Sequence, residues 1–311
     1  MTINLFLDAN ILLSFYALSN SDIEQLKQLN KEVKDGNIRL FVNDQLASEV
    51  ERNREGNIED TFKSFKGNTF KCQAPSYIKP LKDFEELQSH LKKANEVHSS
   101  LVATVNKLIE DHELDADKVI SELLDESTVI KTKKKQYKAA LKRFHAGRPP
   151  GKKKVTLGDE INWEFLLKAV PEKEDLHLVS RDGDFSSPRD SKKINASLSK
   201  EWNEKKKSKI HFYYELNDFF NDHIPKIRLA SQAKLDALIS SLMEAGSYAK
   251  THSIIADFPR LPDFTDKQIL DLKEVFECNS QVSDVRGDPD VKPIFETVKE
   301  RLKVIKSEDP E

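Results

Sequence analysis

Cysteine is nearly absent: Cys72 and Cys278 are the only two, and no Cys-x-x-Cys spacing occurs. That excludes a disulfide framework and a zinc finger and leads us to expect a reducing, cytoplasmic location. Glycine is also scarce, 9 in 311 residues, which excludes collagen-like and glycine-rich disordered chains. Long apolar runs are missing, since stretches such as 5–7 and 11–13 fall far short of the roughly 18 residues needed to cross a bilayer. No membrane partner is therefore expected. The first residues lead at once into an apolar, strand-like run without a basic segment or small-residue cleavage site, so a secretory signal is not expected. Internal repeats and low-complexity tracts are lacking too, and only residues from about 307 read as a tail.

What the chain does contain is charge. Hydrophobic residues make up 38% and charged residues 33%, a balance that fits a soluble protein with a sizeable core and much exposed helix. The length suits a main domain with an appendage. The net charge of −3 hides an asymmetry: residues 131–154 hold eleven Lys or Arg and no Asp or Glu, leaving −14 on the remainder. Such a stretch is either a solvated helix face or a surface for phosphates.

The apolar pattern alternates between strands and helices. Residues 3–7 form a strand candidate that ends directly on Asp8, Ala9 and Asn10. Helical spacing over Ile23, Leu26, Leu29 and Val33 follows, opened by a Ser21–Glu24 capping box and closed by Gly36. Residues 38–42 form the next strand, and Asn43 or Asp44 caps the helix that carries Leu46, Glu49 and Val50. Residues 83–144 are mostly helical and read as an inserted arm, ended by Gly147-Arg148-Pro149-Pro150-Gly151. Gly158-Asp159 opens a helix that stops before Pro171. Residues 176–180 and 210–214 are further strands, and after Pro225 only helices follow, among them one with a Thr265–Gln268 capping box. The alternation predicts an α/β fold with a parallel sheet. The expected division is 1–225, with a helical insertion at about 83–147, and a helical C-terminal segment, 226–311. That segment carries Leu261, Phe264, Ile269, Leu272, Val275 and Phe276, and is expected to dock on the core, on a protein partner or on a second copy.

In open α/β sheets the functional crevice lies beyond the carboxyl ends of the strands, where Asp8, Asp182 and Asp184 fall. Glu49 and Asp159 can lean toward the same edge. Crowded carboxylates repel and raise each other's pKa, and a divalent cation resolves the conflict. An acid-only site suits Mg²⁺ or Mn²⁺, one ion or two. Such ions activate water and neutralise charge at a phosphate, the requirement of phosphodiester hydrolysis.

Four segments then carry a resemblance. Leu5-Phe6-Leu7-Asp8-Ala9-Asn10, Ser48-Glu49-Val50, Gly158-Asp159-Glu160-Ile161-Asn162-Trp163 and Val179-Ser180-Arg181-Asp182-Gly183-Asp184-Phe185 resemble, in order and spacing, the successive motifs of PIN domains. The Arg148-Pro149-Pro150-Gly151 loop is similar to that of a bacterial PIN-like branch with a helical insertion. The resemblance spans roughly residues 1–225. It implies a three-layer fold with a central parallel sheet of about four to five strands. Carried over by position, it makes Asp8, Glu49, Asp159 and Asp182 metal-binding acids, Asp184 a further or water-mediated ligand, and Asn10 and Ser180 supports. It also implies a metal-dependent endoribonuclease acting on RNA. The alternatives are a structure-specific or single-strand DNA nuclease of the same fold, or an idle RNA-binding adaptor. The bacterial branch adds a toxin or anti-phage role. Glu51 competes with Glu49, but it lies about 200° around the helix, so only one of them can face the site.

Substrate contacts are expected from the basic stretch, chiefly Arg143, Arg148, Lys152, Lys153 and Lys154. For Arg148 an alternative stays open, an ion pair that orders the Pro-Pro turn. Trp163 and Phe185 read as packing residues, His145 as a solvated side chain, and the lysines between 192 and 207 as ordinary surface.

Overall fold

The computed structural model describes residues 2–16, 20–125, 129–150, 156–258 and 264–308. Its centre is a parallel sheet of four strands, β1 (Ile3–Leu7), β2 (Ile38–Leu40), β5 (Leu176–Val179) and β8 (Ile210–Tyr213), in the order β2-β1-β5-β8. The two middle strands are the most apolar. Leu5, Phe6, Leu7, Leu176, Leu178 and Val179 are all buried, as expected of parallel strands covered on both faces by helices. Register runs Asn4 to Leu176 and Leu7 to Val179 between β1 and β5, Ile3 to Ile38 between β1 and β2, and Leu176 to Ile210 between β5 and β8. The chain thus moves outward from β1 in one direction and from β5 in the other. The crossovers diverge at the carboxyl ends of β1 and β5, the switch point at which α/β sheets open a crevice.

The elements between β1 and β5 decide what reaches that crevice. The helices α1 (Ala9–Ser14) and α2 (Asn20–Lys34) follow β1. Gly36, with φ +75°, turns the chain from α2 into β2, a left-handed conformation that suits glycine. The strand expected over 38–42 is split. The Phe41 N–H still donates to the Leu5 carbonyl at 2.8 Å, but β3 (Val42–Asn43) then pairs with β4 (Val129–Ile130) in a separate parallel ladder. Asn43 caps the next helix, α3 (Asp44–Lys66), by accepting from the Leu46 N–H at 2.8 Å. With 23 residues, α3 is about 35 Å long.

Among the described residues, the span of about 83–147 read as a helical insertion holds three helices and the short strand β4. Only α4 (Lys82–Glu110) stands largely exposed; its buried residue is His98, set between the rings of Phe65 and Phe70. The next helix, α5 (Asp115–Leu123), returns to the body, where Ala116, Val119, Ile120 and Leu123 join the main core. Asp117 anchors it by pairing with Arg54 of α3 through Nε and Nη2, both at 2.7 Å, and by accepting from Tyr16 at 2.7 Å. α6 (Lys134–His145) packs on α7 (Gly158–Ala169), the helix before β5. Past β5 come a small antiparallel pair, β6 (Ser186–Ser187) and β7 (Asp190–Ile194), then α8 (Ala196–Lys206) and β8.

After α9 (Leu216–His223) the chain is helical: α10 (Pro225–Met243), α11 (Tyr248–Ile255), α12 (Asp266–Cys278), α13 (Ser280–Ser283) and α14 (Lys292–Glu308). Thr265 and Gln268 form the capping box of α12. Most buried apolar residues fall into two clusters, one drawn from Leu5 to Ile224 and the other from Leu235 to Val298, and α10 lies against α9 and α2. Leu261 lies outside the described residues. Among the described residues no helix is long and apolar enough to cross a membrane.

Candidate metal centre

Strand pairing carries Asp8 to the sheet edge, where its N–H donates to the Val179 carbonyl at 3.0 Å. Its backbone is extended, and the carboxylate caps α1 by accepting from the Ala9 N–H at 2.8 Å. The other carboxylate oxygen accepts from Asn10 Nδ2 at 2.7 Å and from Ser180 Oγ at 2.5 Å. Asn10 in turn accepts from the Arg181 N–H at 3.2 Å, and Ser180 Oγ accepts from the Asp182 N–H at 3.0 Å. Asn10 and Ser180 therefore tie the ends of β1 and β5 together around Asp8. Asp8 is 4% exposed. Burial, with the charges of Glu49 and Asp182 added, raises its pKa to about 6 against the opposing bonds from Ser180 and Ala9.

Asp159 enters from α7, and Gly158 determines how close it comes. A Cβ on Gly158 would stand 3.2 Å from both Gln45 Nε2 and Glu49 Oε2. The bare glycine thus lets α7 approach α3 and sets the Glu49 carboxylate beside the start of α7. Glu49 is half-buried and lines the cleft, whereas Glu51 is exposed on another face. Asp182 and Asp184 follow β5 in a turn, with the Asp184 N–H donating to Asp182 Oδ1 at 3.1 Å. Carboxylate oxygens of Asp159, Asp182 and Asp184 lie within 4.8 Å of one another. Burial pushes the Asp159 carboxyl well above the usual range, and Asp8, Asp184 and Asp182 push it further.

Two groupings overlap here. Asp8, Glu49, Asp159 and Asp182 line a cleft of about 520 Å³, while the tightest gathering of oxygens takes in Asp184, which is 4% exposed and not on the cleft wall. Asp159 and Asp182 belong to both, so they mark the centre. The donors are all carboxylate oxygens, the preference of hard divalent cations. Ligands on one ion with bonds of about 2.1 Å sit at most about 4.2 Å apart, so the three oxygens would draw together on binding one.

Other residues in the cleft are not apparent from the acid motifs. Arg52, Asn53, Gly56, Asn57 and Asp60 continue the face of α3 begun by Glu49, at helical spacings that were readable once the phase of Glu49 was fixed. Arg181 lies at the cleft too, its Nε 2.9 Å from both carboxylate oxygens of Glu215. Glu160, next to Asp159, is 2% exposed, and burial raises its pKa.

The expected substrate contacts need revision. Arg143 is 6% exposed, not on a phosphate-facing surface. It donates to Glu164 at 2.9 and 2.7 Å, to Glu201 at 2.7 Å and to the Pro149 carbonyl at 2.7 Å. Its donors are thus spent on α7, α8 and the Pro-Pro turn, and the ordering role considered for Arg148 is filled by Arg143. Arg148 is exposed, and Lys152, Lys153 and Lys154 lie outside the described residues. Trp163 is buried and donates to Glu201 at 3.0 Å, Phe185 is buried, and His145 is exposed. Among the lysines expected at the surface, Lys206 is the exception: it is buried and donates to the Val170 carbonyl.

A family model described as PIN domain matches residues 5–185. That is more than half of the chain, and the protein belongs to the PIN domain family. The match begins in β1 and ends at Phe185, so it takes in all four acid motifs and stops short of β8. Comparisons with curated proteins and with solved structures return no match. PIN domains are a nuclease-type fold, usually metal-dependent, and the acidic cluster is compatible with that chemistry.

Proposed function

We propose that this protein is an endoribonuclease that hydrolyses phosphodiester bonds of RNA with Mg²⁺ or Mn²⁺ held by Asp8, Glu49, Asp159, Asp182 and Asp184. The observation that carries this reading is the convergence of Asp159, Asp182 and Asp184 within 4.8 Å at the switch point of a parallel sheet, beside Asp8 and Glu49 in one cleft. When bound, the metal supplies a water of lowered pKa and neutralises charge on the phosphate. The chain's own residues supply the rest. Asn10 and Ser180 fix the Asp8 carboxylate through two hydrogen bonds to one oxygen, leaving little rotational freedom for a ligand group. Gly158 keeps Glu49 and Asp159 adjacent, and the Arg181–Glu215 pair braces the loop that carries Asp182.

The test is cleavage of labelled single-stranded RNA, single-stranded DNA and flapped duplex in Mn²⁺ or Mg²⁺, with chelator as control. RNA is expected to be cut internally by the wild type and not by Asp8→Asn or Asp182→Asn. Equal cleavage by both variants overturns the metal-centre reading, and preference for DNA overturns the substrate.

A further inference from the structure

The acidic centre leaves the outer face of α6 unused. Ala140 and Arg143 are buried, while Lys134, Tyr137, Lys138 and Leu141 recur at helical spacing on the opposite side and are exposed. Tyr137 is 48% exposed, so the face of its ring is open to a flat partner. It stands beside a groove of about 560 Å³ between α3 and α6, lined by Gln45, Ser48, Lys134, Tyr137, Lys138 and Ile161. Gln45 lies one helical turn before Glu49, and both reach Gly158. The groove and the metal cleft are therefore neighbours along α3, about 6 Å apart in rise. The one acid on the groove wall, Asp44, accepts from the Thr132 N–H at 3.0 Å and from Thr132 Oγ1 at 2.5 Å, which turns its charge toward the chain linking β4 to α6. Lys131, Lys133, Lys135 and Lys142 add exposed positive charge around the same helix.

An exposed ring flanked by lysines matches the repeating chemistry of an unpaired nucleic-acid strand, a flat base and a phosphate. Paired bases keep their faces stacked inside a duplex and cannot offer them to the ring. We propose that Tyr137, with Lys134 and Lys138, is a base-stacking platform that guides single-stranded nucleic acid along the α3–α6 groove into the acidic cleft. The delivery step rests on the nuclease reading above; the stacking itself does not.

The two are separable by experiment. Binding is measured by fluorescence anisotropy with the full chain in chelator, so that no cleavage intervenes, using short labelled strands of RNA and of DNA and a matching duplex. Tyr137→Ala is expected to weaken single-strand binding roughly tenfold while duplex binding changes little, and Tyr137→Phe is expected to keep the wild-type affinity. Lys134→Glu with Lys138→Glu is expected to weaken both and to flatten the salt dependence. The RNA and DNA arms show which sugar the platform accepts. Melting temperatures verify folding, which an exposed side chain such as Tyr137 does not control. If Tyr137→Ala binds single strands like the wild type, or loses single strand and duplex equally, the platform is overturned even where Asp182→Asn abolishes cleavage. If the wild type cleaves nothing yet Tyr137→Ala loses single-strand affinity, the platform stands and the nuclease reading falls.

Discussion

Two gatherings of acids involve α7, one at its first turn through Asp159 and one at its middle through Glu164, and they behave in opposite ways. At one, Glu164 and Glu201 surround Arg143. Burial alone would raise the Glu201 pKa, but hydrogen bonds from Arg143, Lys205 and Trp163 outweigh it and hold the group at about 2. At the other, Asp8, Asp159, Asp182 and Asp184 meet one another, and burial and like charge act in the same direction. Both are carboxylate clusters with one member on α7, so the partner decides the outcome. A buried arginine turns half-buried carboxylates into a brace between α6, α7 and α8. Without a cation the other cluster opposes folding, and is best explained by what it can bind.

The sharpest way to break the contrast is Asp182→Asn, for which metal-dependent cleavage is expected to drop about a thousandfold with the metal-free fold intact by circular dichroism. Arg143→Met does the reverse. Removing one partner of a buried ion pair costs about 3 kcal/mol or more, read by urea denaturation, while cleavage persists at low temperature; lost cleavage at unchanged stability would return Arg143 to the substrate surface. Mn²⁺ at a hundredfold excess over its Kd is expected to add about 2.7 kcal/mol to the wild type and nothing to Asp182→Asn.

Acidity separates the two clusters by sign. The Asp8 pKa is raised from 3.8 to about 6, so its favourable contribution is complete below pH 3.8 and is lost as pH rises through 6. Asp8 alone should cost the metal-free protein about 2 kcal/mol over that interval, and Mn²⁺ should remove its slope. Glu201 is depressed from 4.5 to about 2, so its contribution is present above pH 4.5 and is lost as pH falls toward 2. Denaturation midpoints across pH, with Glu201→Gln for comparison, separate the two limbs. The smallest effect is expected from Gly158→Ala. Its Cβ would press on Glu49 at 3.2 Å and should reduce cleavage about fivefold, or about 1 kcal/mol in the barrier, with little change in melting temperature.

Much of this contrast was legible in the chain, though unevenly. The strands β1, β5 and β8 announce themselves as short apolar runs bounded by polar residues, and acids directly after such runs mark a sheet edge. The phase of α3 favours Glu49 or Glu51 but not both, and only the contact with Gly158 chooses. β3, β4 and β6 are two residues long, too short for any periodicity to show. Arg143 looked like one more member of a basic run because its partners are distant, 21 positions away for Glu164 and 58 for Glu201. The return of α5 to the core was hidden for the same reason, since Asp117 and Arg54 are 63 positions apart. Local pattern records which side chains share a face; it does not record which distant segment covers that face.

The hydrogen bond from Ser180 to Asp8 spans 172 positions, and this separation has a consequence in time. During synthesis the chain emerges from its N-terminus, and Asp8 and Glu49 are made long before Asp182. Until β5 has been added beside β1, there is no edge on which the acids can meet. A nascent or truncated chain lacking residue 182 therefore carries the basic helix without the acidic centre, and any nuclease activity of the protein has to wait for β5.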